Sequence, residues 1–110
     1  MRRDDAALDT PPRLYVRAPA FTQEQHEAIA DWAVAMREHD LHVAVHAELF
    51  GHIEELLVVS AASGGRILWL IHRTPDGAVA LRPWPGLAEI VQTVPEALAM
   101  IAALVRRGLA

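Results

Sequence analysis

The sequence predicts an α+β fold, a two-layer sandwich in which an antiparallel meander sheet carries two helices on one face. Two stretches with an apolar period of 3.6 residues, each preceded by a threonine, indicate helices. Between them, four stretches of alternating or continuous apolar residues indicate strands. Because tight turns join these strands, they are expected to pair antiparallel, in the order β-α-β-β-β-β-α.

The 110-residue length is that of one domain. Residues 1–12 are polar and end in Pro11-Pro12, which predicts a disordered N-terminal tail. A single α+β domain is therefore expected over residues 13–110. Its first element is a short strand over residues 14–17, which Pro19 stops.

The first helix is predicted over about residues 23–38. Thr22 is a suitable N-cap, and Gln25 three residues later completes a capping box. The residues that repeat with helical spacing, and should form its buried stripe, are Ile29, Trp32, Ala33 and Met36.

The four meander strands are predicted over residues 41–49, 54–61, 66–73 and 78–82. Glycine-containing turns at 50–52, 63–65 and 74–77 separate them. Residues 87–92 are compatible with either a short strand or a loop. Thr93 then caps the last helix, with Glu96 as capping-box partner and Pro95 in the first turn. Its expected buried stripe is Leu98, Ile101, Ala102 and Val105.

The composition excludes several chemistries. Without cysteine there is no disulfide, thiolate nucleophile or cysteine metal site, and without lysine there is no Schiff base or Walker lysine. The sequence has two serines, Ser60 and Ser63, and neither lies in the Gly-x-Ser-x-Gly motif of a nucleophile elbow. The bias toward alanine and arginine, with no lysine or asparagine, is typical of a GC-rich bacterial genome. We expect no cofactor and, on balance, no catalysis.

The net charge of −4 argues against nucleic acid as a partner. Eight acidic residues and one basic residue lie between Gln23 and Glu55, which predicts an acidic surface there. The longest apolar helical run, residues 97–105, is too short to cross a membrane, and the N-terminus lacks the apolar segment of a signal peptide. The expectation is a cytoplasmic protein.

The second face of the sheet is the main indication of function. Two helices cover one face, yet the segments LLVV and ILWLI are apolar at every position, so both faces of these strands carry apolar side chains. Either Leu56 and Val58 or their neighbours should therefore lie on the uncovered face. The residues predicted to form an interface with a second copy or a protein partner are Leu56, Val58, Leu68, Leu70, Trp69 and Trp84. Trp84, between two prolines, fits either a rigid anchor for a partner or a plug at the sheet edge.

The histidine-rich stretch 39–52 raises the question of a metal site. On a strand, His42 and His46 lie about 13 Å apart, too far to share one ion. His46 and Glu48 are adjacent on one face and would need a third ligand from a neighbouring strand. The candidates are Glu54 or Glu55 across the hairpin, or His72 from the next strand. The alternative is that these histidines simply face solvent.

Two functions follow as hypotheses. The first is a small, acidic, non-catalytic protein-binding or adaptor module that forms a homodimer through the helix-free sheet face. The second is a small-ligand or metal-binding protein, or an enzyme, that uses the histidines of the first meander strand. The order of elements also resembles double-stranded-RNA-binding domains and secretion chaperones; the acidic charge argues against the first resemblance.

Overall fold

A computed structural model of the protein describes residues 18–47 and 53–108. Its two helices are α1 (Gln23–Met36) and α2 (Val94–Arg106), and a single 3-10 turn, Arg37–His39, follows α1. Its strands are β1 (Leu41–Ala47), β2 (Glu55–Ala61), β3 (Ile67–Arg73), β4 (Val79–Pro83) and β5 (Glu89–Val91). The predicted tail over residues 1–12 and the predicted strand over 14–17 lie outside the described residues.

The five strands form one antiparallel sheet in the order β1-β2-β3-β4-β5, and both helices pack against it. The predicted α+β two-layer sandwich with a meander sheet is thus confirmed. Helix α1 lies over β1, helix α2 lies over β4 and β5, and the two helices contact each other. The stretch 87–92, which the sequence leaves open, contributes β5.

Helix α1 begins as the sequence predicts. The Thr22 side chain accepts a hydrogen bond from the Gln25 N–H, and the Gln25 side chain accepts one from the Thr22 N–H, which completes the capping box. Ile29 and Met36 are buried against the sheet. The regular helix ends two residues earlier than predicted, because a 3-10 turn and a left-handed residue at Asp40 redirect the chain into β1.

Replacing Thr22 by alanine should lower the free energy of unfolding by about 1 kcal/mol, because the first helical N–H groups lose their acceptor. Urea denaturation followed by circular dichroism measures the change. An Asp31→Ala variant, at an exposed position in the middle of α1, is the control and should change stability by less than about 0.5 kcal/mol. Equal losses in the two variants would contradict the capping role.

Helix α2 also starts at its predicted cap, Thr93, but the Glu96 carboxylate bonds to a different backbone N–H from the one predicted. The Thr93 hydroxyl accepts from the Glu96 N–H, whereas the Glu96 carboxylate accepts from the Gln92 N–H instead of completing a box with Thr93. Its buried side is shifted toward its N-terminus relative to the prediction, since Val94 and Ala97 join the expected stripe and Val105 is only partly buried. Neither helix in the described part of the chain has the length and apolar character needed to span a bilayer.

The turn between β3 and β4 is the one predicted from Thr74-Pro75-Asp76-Gly77. The Gly77 N–H donates to the Thr74 carbonyl, and Gly77 has a φ of +93°, where glycine is favoured. The hydrogen bond from the Thr74 hydroxyl, followed by one from the Ala78 N–H, lowers the pKa of Asp76 below its ordinary value of 3.8. The charged carboxylate therefore accepts two hydrogen bonds that close the turn.

A Thr74→Val substitution should raise the pKa of Asp76 toward 3.8, because the hydroxyl donor is the largest cause of the shift. Since the pKa of Asp76 is lowered in the folded state, the charged carboxylate stabilises the turn at pH values above its unfolded-state pKa. That stabilisation is lost as the pH falls through the folded-state pKa. Carboxyl-detected NMR titration of the two proteins measures the difference. The same Asp76 pKa in both would contradict the assignment of the cause.

The hydrophobic core lies between the helices and one face of the sheet. Leu57, Val59 and Ile71 from the central strands are fully buried there, as is Ile101 from α2. Side chains alternate along a strand, so the intervening residues of β2, Leu56 and Val58, point away from the helices. Between the two faces that the sequence allows, the structure therefore places Leu57 and Val59 inside and Leu56 and Val58 outside the sandwich.

A β-bulge interrupts this alternation in β3. Val59 pairs with Trp69, but the next residue, Ser60, pairs with Ile67, so Leu68 is the extra residue. The consequence is that Leu68 and Trp69, although consecutive, both lie in the helix-side core. The sequence prediction that Leu68 and Trp69 contribute to the interface therefore needs correction, because strict alternation does not hold across the bulge.

Candidate functional site

The sheet surface opposite the helices is the candidate site, and we call it the open face. It is defined by the strand register and by alternation on each strand. Its residues are His42, Ala44, His46, Leu56, Val58, Ser60, Ile67, Leu70, His72, Ala80, Arg82 and Ile90, with Trp84 following β4. The middle of this surface is apolar, and its polar groups are basic or neutral.

One part of the open face is covered by the chain itself. Ala18 forms a parallel bridge with Ile53, and the Glu54 N–H donates to the Ala18 carbonyl. Ala18 and Ile53 pack with Leu56, which is only 3% exposed, and Val58 and Leu70 lie against this small cluster. Three of the six predicted interface residues, Leu56, Val58 and Leu70, thus lie together on the open face.

The rest of the open face exposes large apolar side chains. Ile90 is 57% exposed, Trp84 is 47% exposed and Ile67 is 36% exposed. Ile90 is opposite Ala80, which in turn is opposite His72, so Ile90 continues the same surface onto the short edge strand. Ile67 and Trp84 lie toward one end of this surface and Ile90 toward the other, so the three share one face without adjoining one another.

The Trp84 backbone is fixed to the sheet although its side chain is half exposed. The Trp84 N–H donates to the Leu68 carbonyl over 2.9 Å, which extends the β3–β4 pairing by one residue. The indole ring lines a pocket on the open face together with Leu70 and Arg82. Trp84 is thus partly exposed, as an anchor for a partner would be, and partly packed onto the sheet, as a plug would be. These are the two roles that the sequence leaves open.

The histidines proposed as metal ligands lie on the open face but do not come together. His42 and His46 are exposed on β1, where they are opposite Ser60 and Leu56. His72 is on β3, and two strand spacings, about 9.6 Å, separate β3 from β1. Glu48 lies outside the described residues. Within residues 18–47 and 53–108, no three histidine or carboxylate side chains are placed to hold one metal ion.

Another histidine has a structural role that the sequence does not reveal. His26 Nε2 is 2.9 Å from Glu55 Oε1, and the same oxygen accepts a hydrogen bond from the Phe21 N–H. The Phe21 and His26 rings also meet edge to face, with centroids 6.0 Å apart. Glu55 therefore joins the start of α1 to β2, on the helix side of the sheet.

A second side chain from the sheet holds the same segment. Arg73, at the end of β3, donates through Nη1 to the Ala20 carbonyl over 2.8 Å. The segment that leads from Ala18 into α1 is thus attached to both central strands. This attachment orders the residues that cover Leu56 on the opposite face.

A cleft of about 470 Å³ between the N-termini of α1 and α2 is a different candidate. Helix N-termini favour anions because their first N–H groups lack partners. Here Thr22 and Thr93 already accept hydrogen bonds from the N–H groups of Gln25 and Glu96. Glu24, which also lines the cleft, adds negative charge. These capped termini therefore do not form an anion site.

Sequence reasoning missed several residues of the open face, among them Ile53, Ile67, Arg82 and Ile90. Arg82 is opposite Leu70, and both line the same pocket as His72. The face of β4 on which Arg82 lies can be read from the sequence, but its partner depends on the β3–β4 register, which no local pattern specifies.

No family model, curated protein or solved structure matches the chain.

Proposed function

We propose that this protein is a small, non-catalytic protein-binding module that self-associates through the open face. The observation that carries the proposal is the exposure of Ile67, Trp84 and Ile90 on the sheet surface opposite the helices. Removing apolar surface from water contributes about 25 cal/mol per Å², so exposed apolar side chains at both ends of one sheet face favour association that covers the whole face.

A second copy of the chain is the partner that we propose. It carries the same apolar surface, and two-fold dimers are the commonest homo-oligomers because one patch can complement itself. His42 and His46 are exposed on the edge strand β1, so they can stay at the solvated rim of such a contact.

The dimensions of the open face suit a contact of modest size. Four spacings of about 4.8 Å and about seven residues of about 3.3 Å give a surface of roughly 19 Å by 23 Å. A standard interface buries about 800 Å² on each partner, including its rim. The open face would supply the centre of that contact. Leu87, which is exposed in the loop between β4 and β5, would extend it.

The mass in solution tests the proposal. Light scattering coupled to gel filtration should give twice the 12.1 kDa mass of the chain at micromolar concentration. Ile90→Arg should raise the dissociation constant at least about tenfold, because the contact would have to bury an unpaired charge. Val34→Arg is the matched control, since Val34 is an equally exposed apolar residue, 59% exposed, on α1.

A folded protein that stays monomeric up to about 100 µM would contradict self-association, because weaker contacts have little effect at ordinary concentrations. Equal weakening by Ile90→Arg and Val34→Arg would contradict the assignment to the open face. Circular dichroism of each variant verifies that the fold is intact.

A further inference from the structure

A pocket of about 190 Å³ lies on the open face, between β3, β4 and the loop that carries Trp84. Its lining residues are Ile53, Leu56, Leu70, His72, Arg82 and Trp84. Four of these side chains are apolar and two can carry positive charge. The pocket is a distinct depression within the open face and has its own chemical character.

The size of the pocket limits what it can hold. An apolar cavity of about 150 Å³ binds benzene, whereas pockets for drug-sized ligands measure about 300–1,000 Å³. The pocket therefore fits one six-membered ring or a short branched hydrocarbon chain. Leu56, Leu70 and the Trp84 indole provide apolar contacts for such a group.

The two polar side chains of the pocket are close enough to act on one ligand group. Arg82 is directly opposite Leu70, so His72 is its diagonal neighbour on the same face, about 7–8 Å away between Cα atoms. The long Arg82 side chain can bridge most of this distance. Among the described residues that line the pocket none is acidic, and Arg82 gives it an electrostatic preference for an anion.

Both side chains are also partly oriented by the backbone. His72 Nδ1 is 2.9 Å from the Arg73 carbonyl oxygen, to which its N–H donates, and Nε2 can donate to a ligand only when the ring carries both protons. Arg82 Nη1 donates to the Gly86 carbonyl at 3.4 Å, which leaves the other guanidinium N–H groups for a ligand. A planar guanidinium matches the two oxygens of a carboxylate.

We propose that this pocket binds a small carboxylate whose apolar part is an aromatic ring or a short branched chain. The apolar part would contact Leu56, Leu70 and Trp84. The carboxylate would accept hydrogen bonds from Arg82, and from His72 when its imidazole carries both protons. This binding function goes beyond the proposed self-association, with which it shares Trp84 but not Ile67 or Ile90.

Titration of the ¹⁵N-labelled protein with phenylacetate, followed by NMR, tests the proposal. Phenylacetate should cause saturable shifts of the Trp84 indole N–H and of the Leu70, His72 and Arg82 amides. Phenylacetamide, which has the same ring without the charge, should bind at least about tenfold more weakly, because it lacks the charge-assisted hydrogen bonds. Acetate, which lacks the ring, should also bind at least about tenfold more weakly.

Arg82→Gln should remove the preference for phenylacetate over phenylacetamide. Arg66→Gln is the matched control, since Arg66 is exposed outside the pocket, and it should keep the preference. The spectrum of each variant reports whether it is folded. The proposal is overturned if phenylacetate gives no saturable shifts up to about 10 mM, if the amide binds equally well, or if the shifts lie elsewhere.

The inference and the proposed function can fail separately. Sedimentation with and without phenylacetate measures self-association in the same samples. A monomer that binds phenylacetate at Trp84 would contradict self-association and support the pocket. A dimer that gives no saturable phenylacetate shifts, either as such or as the dissociated Ile90→Arg variant, would support self-association and overturn the pocket.

Discussion

Replacing Trp69 by alanine is expected to lower the free energy of unfolding by about 3–5 kcal/mol. Trp69 is buried in the helix-side core, and removing its ring leaves a cavity that the neighbouring side chains fill only in part. A domain of this size has a total stability of about 5–15 kcal/mol, so the loss is a large part of it. Urea denaturation followed by circular dichroism measures the change. Trp69→Phe should lose less, because most of the apolar contact remains.

Trp84→Ala is the matched control for that experiment. Because the Trp84 side chain is half exposed and only its backbone N–H bonds to Leu68, the substitution should cost less than about 1 kcal/mol. It should instead weaken self-association. If Trp84→Ala destabilised the fold as much as Trp69→Ala, the indole of Trp84 would belong to the core and not to the open face.

Replacing Glu55 by alanine is expected to lower the free energy of unfolding by about 1–3 kcal/mol. Glu55 Oε1 accepts the Phe21 N–H and pairs with His26, so its loss leaves a partly buried N–H without an acceptor. His26 is more than a third exposed, and solvent screening keeps its own share of this small. Thermal or urea denaturation at pH 7 measures the loss.

Two further variants separate the hydrogen bond from the charge at Glu55. Glu55→Gln keeps an oxygen acceptor for the Phe21 N–H and should lose less than about 1 kcal/mol. Glu89→Ala, at an exposed position on β5, is the control for removal of a strand carboxylate and should be nearly neutral. Equal losses for Glu55→Gln and Glu55→Ala would show that charge, and not the acceptor, stabilises the start of α1.

Much of the fold could be predicted from local sequence patterns. Thr22 with Gln25, and Thr93 before Pro95, mark the two helix starts because capping depends on residues a few positions apart. The alternation in LHVAVHA predicts β1 for the same reason, since side chains on a strand have a period of two. The turn at residues 74–77 follows from the conformations that proline and glycine favour.

The candidate site could be predicted only in part. The apolar strands indicate a second apolar face, and Leu56, Val58 and Leu70 lie on it. Leu68 and Trp69 do not, because the bulge between Val59 and Ser60 is a property of the paired strands. The pairing of His46 with Glu48 stays a prediction, since Glu48 lies outside the described residues.

The sequence by itself determined the order, type and approximate limits of the two helices and of strands β1–β4, though not β5, because capping, periodicity and turns act over a few residues. Only the tertiary structure decided which face of the sheet the helices cover. It also decided that Leu68 turns inward and that His72, Arg82 and Trp84 line one pocket. These features depend on the register between strands, where a shift of one residue moves every side chain to the opposite face. Register is set by packing across the whole sheet, which no short stretch of sequence specifies.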